Sequence, residues 1–184
     1  MLELKNFIAK GATRICFQHP KDENLCIKVV VRFKEIDVLS KELKVYNYIK
    51  QELKDYIVEY QNQLVDTNLG KGIVLSLLRD DDNSYSKTLN YYHKTNNIDK
   101  EIISELYHFA YKLIAHDIFF YDFNLNNFTI QIRNNKKKLY YTDLKSFESY
   151  KSWGYLKLEK IIPSLARHIM KKRLHKMFKS LNIK

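Results

Sequence analysis

The chain has 184 residues, 45% of them hydrophobic, which suits one compact domain, or two small lobes, with a real core. With only 4 Gly and 2 Pro it is neither collagen-like nor built on long disordered linkers. No apolar run reaches the roughly 18 residues needed to cross a bilayer. The net charge of +11 is uneven: residues 151–184 hold ten Lys or Arg against the single Glu159. A basic end of this kind points to a polyanionic partner, or serves only as a solvated helix face. The opening MLELKNFIAKGATR has neither the apolar core nor the cleavage site of an export signal, so a cytoplasmic location is expected. Cys16 and Cys26 fall on neighbouring predicted strands, and two cysteines make a poor zinc site.

In chain order, residues 3–9 and 14–18 alternate apolar and polar side chains, and Leu25–Val31 is an apolar β-branched run. These predict three strands, with Gly11 in the first turn and residues 19–24 in the second. Ile36, Leu39, Leu43, Tyr46, Ile49 and Leu53 recur at helical spacing and predict a helix over residues 34–54. Two further strands, 63–66 and 72–78, flank a turn containing Gly70. Residues 80–97 are polar apart from Leu89–Tyr92 and read as a connector. Ile102, Leu106, Phe109 and Leu113 predict a helix over 99–115 with Asp99 as its N-cap. A loop at 121–127 precedes a predicted hairpin, 128–132 and 139–142, turning through 134–138. The last segment carries Ile162, Leu165, Ile169, Leu174, Met177 and Leu181 as a helical stripe among basic residues.

One set of polar residues stands out against this background. Lys28 lies inside an apolar strand, where a charge is expensive unless it has an anionic partner. Glu42 on the following helix is the expected partner, with Glu35 as runner-up. Asp122 and Asn127 are five residues apart between an apolar helix and a hairpin, the spacing and setting of a kinase catalytic loop. Asp143 follows the second hairpin strand, where kinases place their main magnesium ligand. Each signal alone also fits an ordinary turn or surface residue. Together and in order they predict an α+β chain with a minimal bilobal protein-kinase-like fold. Residues 1–79 would form a small β-rich N-lobe with one helix, 80–98 a hinge and connector, and 99–184 a reduced helical C-lobe.

The chain also resembles the YrbL family, PhoP-regulated bacterial proteins placed in the kinase-like superfamily. The resemblance rests on IAKGATRICFQHP (8–20), CIKVV (26–30), KELKVYNYI (41–49), VDTNLGKGIVLSLLRDDDNSYSKTL (65–89) and DFNLNNFTI (122–130). It implies a kinase-like fold and a phosphotransferase role, with relatives that phosphorylate sugars of the lipopolysaccharide core. Three departures from the general kinase pattern narrow the acceptor. Phe120-Tyr121 stands where most kinases have His-Arg, Leu144-Lys145 replaces Phe-Gly after the metal-binding Asp, and no Ala-Pro-Glu anchor follows. Most of a protein-substrate platform is therefore missing, and a glycan, lipid-linked sugar or small hydroxyl compound is the expected acceptor.

The expected chemistry is transfer of phosphate from ATP with Mg²⁺. Lys28 would hold the α/β-phosphates and Glu42 would orient Lys28. Gly11 and its turn would cover the phosphates through backbone N–H groups. Asn127 and Asp143 would bind the metal, and Asp122 would orient or deprotonate the acceptor. The competing expectations are a nucleotide-binding pseudokinase acting as a regulator and, more weakly, a nucleic-acid-binding protein. The cations of residues 161–181 add an expected peripheral contact with an anionic membrane at its cytoplasmic face.

Overall fold

The computed structural model describes residues 1–11, 14–30, 36–120, 122–144, 147–148 and 162–183. Its class is mixed α+β, as the sequence patterning indicates. Strands β1 (Phe7–Lys10), β2 (Arg14–Gln18), β3 (Leu25–Val30), β4 (Tyr60–Thr67) and β5 (Gly70–Ser76) form one antiparallel sheet in the order β1-β2-β3-β5-β4. The β4–β5 turn closes on Gly70, whose φ of +105° is open to glycine at little steric expense. Register puts Arg14, Cys16, Cys26, Lys28, Ile73 and Leu75 on one face, because residues paired across strands share a side. The other face carries Ile27, Val29 and Val74, buried with Leu4 and flanked by Leu2, Ile15, Phe17, Leu25 and Val65. Leu2 is held there by a parallel bridge to Thr67 and by its N–H donating to the Asp66 carbonyl.

Helix α1 (Ile36–Ile49) lies against the first face. Its buried stripe is Leu39, Glu42, Tyr46 and Ile49, so Glu42 takes a core position and Leu43 is only partly buried. The helix stops short of the predicted residue 54. The chain leaves in turns that carry Leu53 and Tyr56 into the core, and it is drawn off the helix axis where Tyr141 N–H bonds the Tyr56 carbonyl.

The predicted connector is more structured than its polarity suggested. It forms β6 (Lys87–Thr88) and α2 (Leu89–Lys94), capped by the Thr88 hydroxyl, with Leu89 and Tyr92 buried. Helix α3 (Lys100–Ala115) begins at Asp99, whose carboxylate accepts from Glu101 N and Ile102 N. It ends with Asp117 at φ +50°, and Ile118 N–H reaches back to Leu113 O, closing the C-terminus in the manner of a Schellman motif. Strands β8 (Phe128–Arg133) and β9 (Lys136–Tyr141) make a tighter hairpin than predicted. Asn134 and Asn135, both at positive φ, form its two-residue loop, since Asn tolerates the left-handed region a primed turn demands. Strand β6 joins this hairpin, and β7 (Phe119–Phe120) pairs with β10 (Phe147–Glu148).

Helix α4 (Pro163–Ser180) closes the structure. It buries Ala166, Met170, Leu174 and Met177, while Ile162 and Leu165 of the expected stripe stay exposed. Near its start Arg167 makes a bidentate pair with Asp117, donating Nε to Oδ1 at 2.9 Å and Nη2 to Oδ2 at 2.8 Å. One hydrophobic cluster runs without a break from Cys26 and Ile73 of the sheet, through Tyr56, Phe109 and Phe128, to Met177 and Leu181. Among the described residues, no helix is long and apolar enough to cross a membrane.

Candidate functional site

Among the described residues the buried polar side chains are Arg14, Glu42, Thr67 and Thr129, and the two charged ones meet at one place. Lys28 Nζ lies 3.4 Å from Glu42 Oε1 and 3.4 Å from the Tyr60 hydroxyl, which itself donates to Glu42 Oε1 at 2.6 Å. Lys28 also donates to the carbonyl of Thr142, the residue before Asp143. The wet-face alternative for Lys28 therefore does not apply, because the lysine faces α1 and the hairpin. Arg14 ion-pairs with Glu42 through Nη1 and with Asp143 through Nη2. Glu42 is fully buried and Arg14 is 8% exposed, so two cations and a phenol compensate one buried carboxylate. Glu35, the other partner considered for Lys28, lies outside the described residues.

These partners shift the titration of the cluster. Burial lowers the Lys28 pKa from 10.5 to about 8; the like charge of Arg14 pushes the same way, and the Asp143 carboxylate opposes it. Burial also raises the Tyr60 phenol well above its ordinary value, keeping it a donor. Cys16 and Cys26, both free thiols, sit on the same face. A hydrogen bond between them lowers the Cys16 pKa and raises that of Cys26.

The loop before β8 brings Asp122 and Asn127 together. Asp122 Oδ1 accepts from Asn124 N, and Asn124 Oδ1 accepts from Asn126 N, turning the chain into a short 3₁₀ segment at Leu125–Asn127. Asn127 Nδ2 then donates to Asp122 Oδ2 at 3.0 Å and to the Tyr141 hydroxyl at 3.3 Å. The backbone continues the connection: Thr142 N–H and its hydroxyl both bond the Asn127 carbonyl. Thr142 thus joins the loop to Lys28, and Asp143 follows directly. Gly11 touches this network only through the backbone of Arg14. Its N–H donates to Arg14 O across the β1–β2 turn, and residues 12–13 of that turn lie outside the described residues.

A divalent cation suits the donor set. Asn127 and Asp143 offer an amide and a carboxylate oxygen, ligands for a hard cation. The Asn127 nitrogen is engaged by Asp122 and Tyr141, so Oδ1 would be its ligating atom for a metal. Among the described residues there is no cluster of three or more His, Cys, Asp or Glu. Two protein oxygens are the pattern Mg²⁺ accepts when water and phosphate complete its shell.

Arg14 and Tyr60 were missing from the sequence-derived set. For Arg14 a signal existed: Arg14, Cys16 and Gln18 alternate on β2, and a short turn to β3 puts them on the face of Lys28. For Tyr60 there was none, since β4 begins three residues before its apolar alternation does.

The family model described as "PhoP regulatory network protein YrbL" matches residues 1–182, nearly the whole chain. The chain belongs to the YrbL family. Two curated relatives carry the name "Uncharacterized protein YrbL", one from Escherichia coli (strain K12) and one from Shigella flexneri. Each is 36% identical over 89 residues, covering 45% of this chain. The match spans 40% of the length of each YrbL relative.

Proposed function

We propose that this YrbL-family chain is a minimal, bilobal kinase-like phosphotransferase that moves phosphate from ATP, with Mg²⁺, to a hydroxyl on a glycan, lipid-linked sugar or small molecule. The observation that carries this reading is the convergence of Lys28, Glu42, Asn127 and Asp143, linked through Thr142, with Asp122 on the same loop. Lys28 binds the α/β-phosphates and Glu42 orients it. Asn127 and Asp143 hold the metal, which neutralises phosphate charge when bound. Asp122 orients the acceptor. Its hydroxyl oxygen forms the new bond to the γ-phosphorus, the bond to the β–γ bridging oxygen breaks, ADP departs with that electron pair, and Asp122 receives the hydroxyl proton. Arg14 stands where phosphate and metal would enter, so the reading requires it to leave Asp143 and turn to the phosphates.

The Arg14 bridge also favours a second reading, a nucleotide-sensing regulator without turnover, since the bridge engages both Glu42 and Asp143. Magnesium-dependent ADP release separates the two. Catalysis predicts release that Asp143→Ala abolishes in a folded protein. Tight binding of a fluorescent ATP analogue with no release would establish the regulator instead, and no nucleotide binding at all would refute both.

A further inference from the structure

Two nucleophilic side chains of the inner sheet face take no part in the phosphotransfer reading. Cys16 lies on β2 and Cys26 on β3. The ladder pairs Cys16 directly with Lys28, and Arg14 precedes it by two positions on the same face. Cys26 pairs with Gln18, so the two thiols are diagonal neighbours. Both are free; Cys26 is 4% exposed, while Cys16 is only partly buried. Their hydrogen bond runs one way: the Cys26 thiol keeps its proton and donates it, and the Cys16 sulfur accepts. That bond is the largest cause of the lowered Cys16 pKa; burial opposes it, and Lys28 and then Arg14 reinforce it. The groups that face this side of the sheet are Glu42 on α1, Tyr60 on β4 and Asp143 after β9. Arg14 engages both carboxylates, and Tyr60 donates to Glu42.

We propose that Cys16 is an oxidant-sensitive modification site, whose thiolate takes oxygen from a small hydroperoxide while Cys26 acts as the hydrogen-bond donor to its sulfur. The nucleophile in such chemistry is the thiolate, which a cationic and partly exposed setting favours. The Cys16 sulfur attacks one peroxide oxygen. The S–O bond forms, the O–O bond breaks, and hydroxide leaves with the electron pair of that bond. The sulfur is oxidised by two electrons, the peroxide is reduced, and the product is a sulfenic acid. A reagent as small as hydrogen peroxide suits a sulfur that is only partly open. Cys26 is protected from the same reaction by its burial and its retained proton. Nor does Cys26 consume the product as a disulfide, because diagonal strand neighbours stand about 7–8 Å apart at Cα while disulfides span roughly 4.4–6.8 Å. The added oxygen therefore stays on Cys16, on the face that carries Lys28 and Arg14. No nucleotide enters this inference, so it stands or falls apart from the phosphotransfer reading.

The test treats the full chain with hydrogen peroxide at pH 7 and locates added oxygen by peptide mass, with iodoacetamide alkylation followed against pH in parallel. Oxygen should appear at Cys16 at least tenfold faster than at Cys26, and dithiothreitol should remove the first oxygen. The alkylation midpoint of Cys16 should lie below the ordinary thiol value of 9.0. Cys26→Ala and Lys28→Met should each raise it, by loss of the donor and of the facing cation. Cys26→Ala leaves a gap in the core, so Lys28→Met, which keeps its volume, is the deciding variant if the first does not fold. Oxidation that spares Cys16, equal oxidation of both cysteines, a Cys16–Cys26 disulfide as the main product, or a Cys16 midpoint unmoved in folded Lys28→Met protein would overturn the proposal.

Discussion

Replacing Lys28 by Met should make the protein more stable at neutral pH while removing its nucleotide binding. Lys28 sits on the inner sheet face with its pKa lowered to about 8, chiefly by burial and secondly by Arg14. A displacement from 10.5 to about 8 corresponds to about 3 kcal/mol of penalty for the charged form in the folded state. Below pH 8 the lysine is protonated in both states and the folded protein carries that penalty in full. Between pH 8 and 10.5 the unfolded chain still holds a proton that the folded one has released, so wild-type stability rises with pH in that window. Met keeps the volume but carries no charge, and Glu42 retains Arg14 and Tyr60. Thermal denaturation at pH 7 should therefore show Lys28→Met melting roughly 6–12 °C above wild type, a scale of about 2–4 °C per kcal/mol for a chain of this size. At pH 10 most of the gap should vanish, and binding of a fluorescent ATP analogue should be lost at pH 7. A variant that melts below wild type at pH 7, or a gap that does not change with pH, would refute the argument that burial burdens this lysine.

Glu42→Gln removes the charge that compensates Arg14 and Lys28, and should cost about 3–5 kcal/mol in urea denaturation; an unchanged midpoint would mean the buried cluster does not hold the sheet to α1. Arg167→Ala should cost only about 1 kcal/mol, because both ends of its pair with Asp117 are roughly 40% exposed and screened by water. A loss several times larger would show that the pair, and not the apolar face of α4, sets the helix in place. If the outer cations of α4 hold the chain on anionic membranes, Lys171→Gln, Lys172→Gln and Lys179→Gln together should reduce pelleting with phosphatidylglycerol vesicles at low salt while leaving the melting temperature unchanged. Wild-type pelleting that persists at high salt would argue against an electrostatic contact.

How legible each part was follows from the range of the interaction behind it. Asp99 and helix α3 could be read directly, because a cap and an apolar period are encoded within a few residues. Asp122 and Asn127 could be paired from spacing, since their hydrogen bond spans only five positions. Arg14 meets Asp143 across 129 residues, and nothing local marks either as the partner of the other. Strands β7 and β10 are two residues each and exist through their mutual pairing, which leaves no period to detect. In α2, Leu89 and Tyr92 did show as an apolar patch, but its six residues are too few for helical spacing to register. The placement of Glu42 was legible only to within one position. The stripe through Leu43 and Tyr46 fits the same sequence nearly as well as the observed one through Glu42, and tertiary contact with Arg14 and Lys28 decided between them.

The far side of the five-stranded sheet has a practical consequence. Among the described residues, its apolar side chains are packed by the sheet itself and by Leu2 and Leu4, with no helix laid over them. Two leucines near the chain start thus act as a detachable cover for Ile27, Val29 and Val74. Leu2 is kept there by main-chain bonds to Asp66 and Asn68, and Leu4 by a bond to the Asn68 side chain. Proteolytic trimming of residues 1–5, or a bulky tag fused ahead of them, would uncover a flat greasy surface beside β1, an edge strand already bearing the exposed Phe7. Trimmed protein should therefore self-associate sheet to sheet.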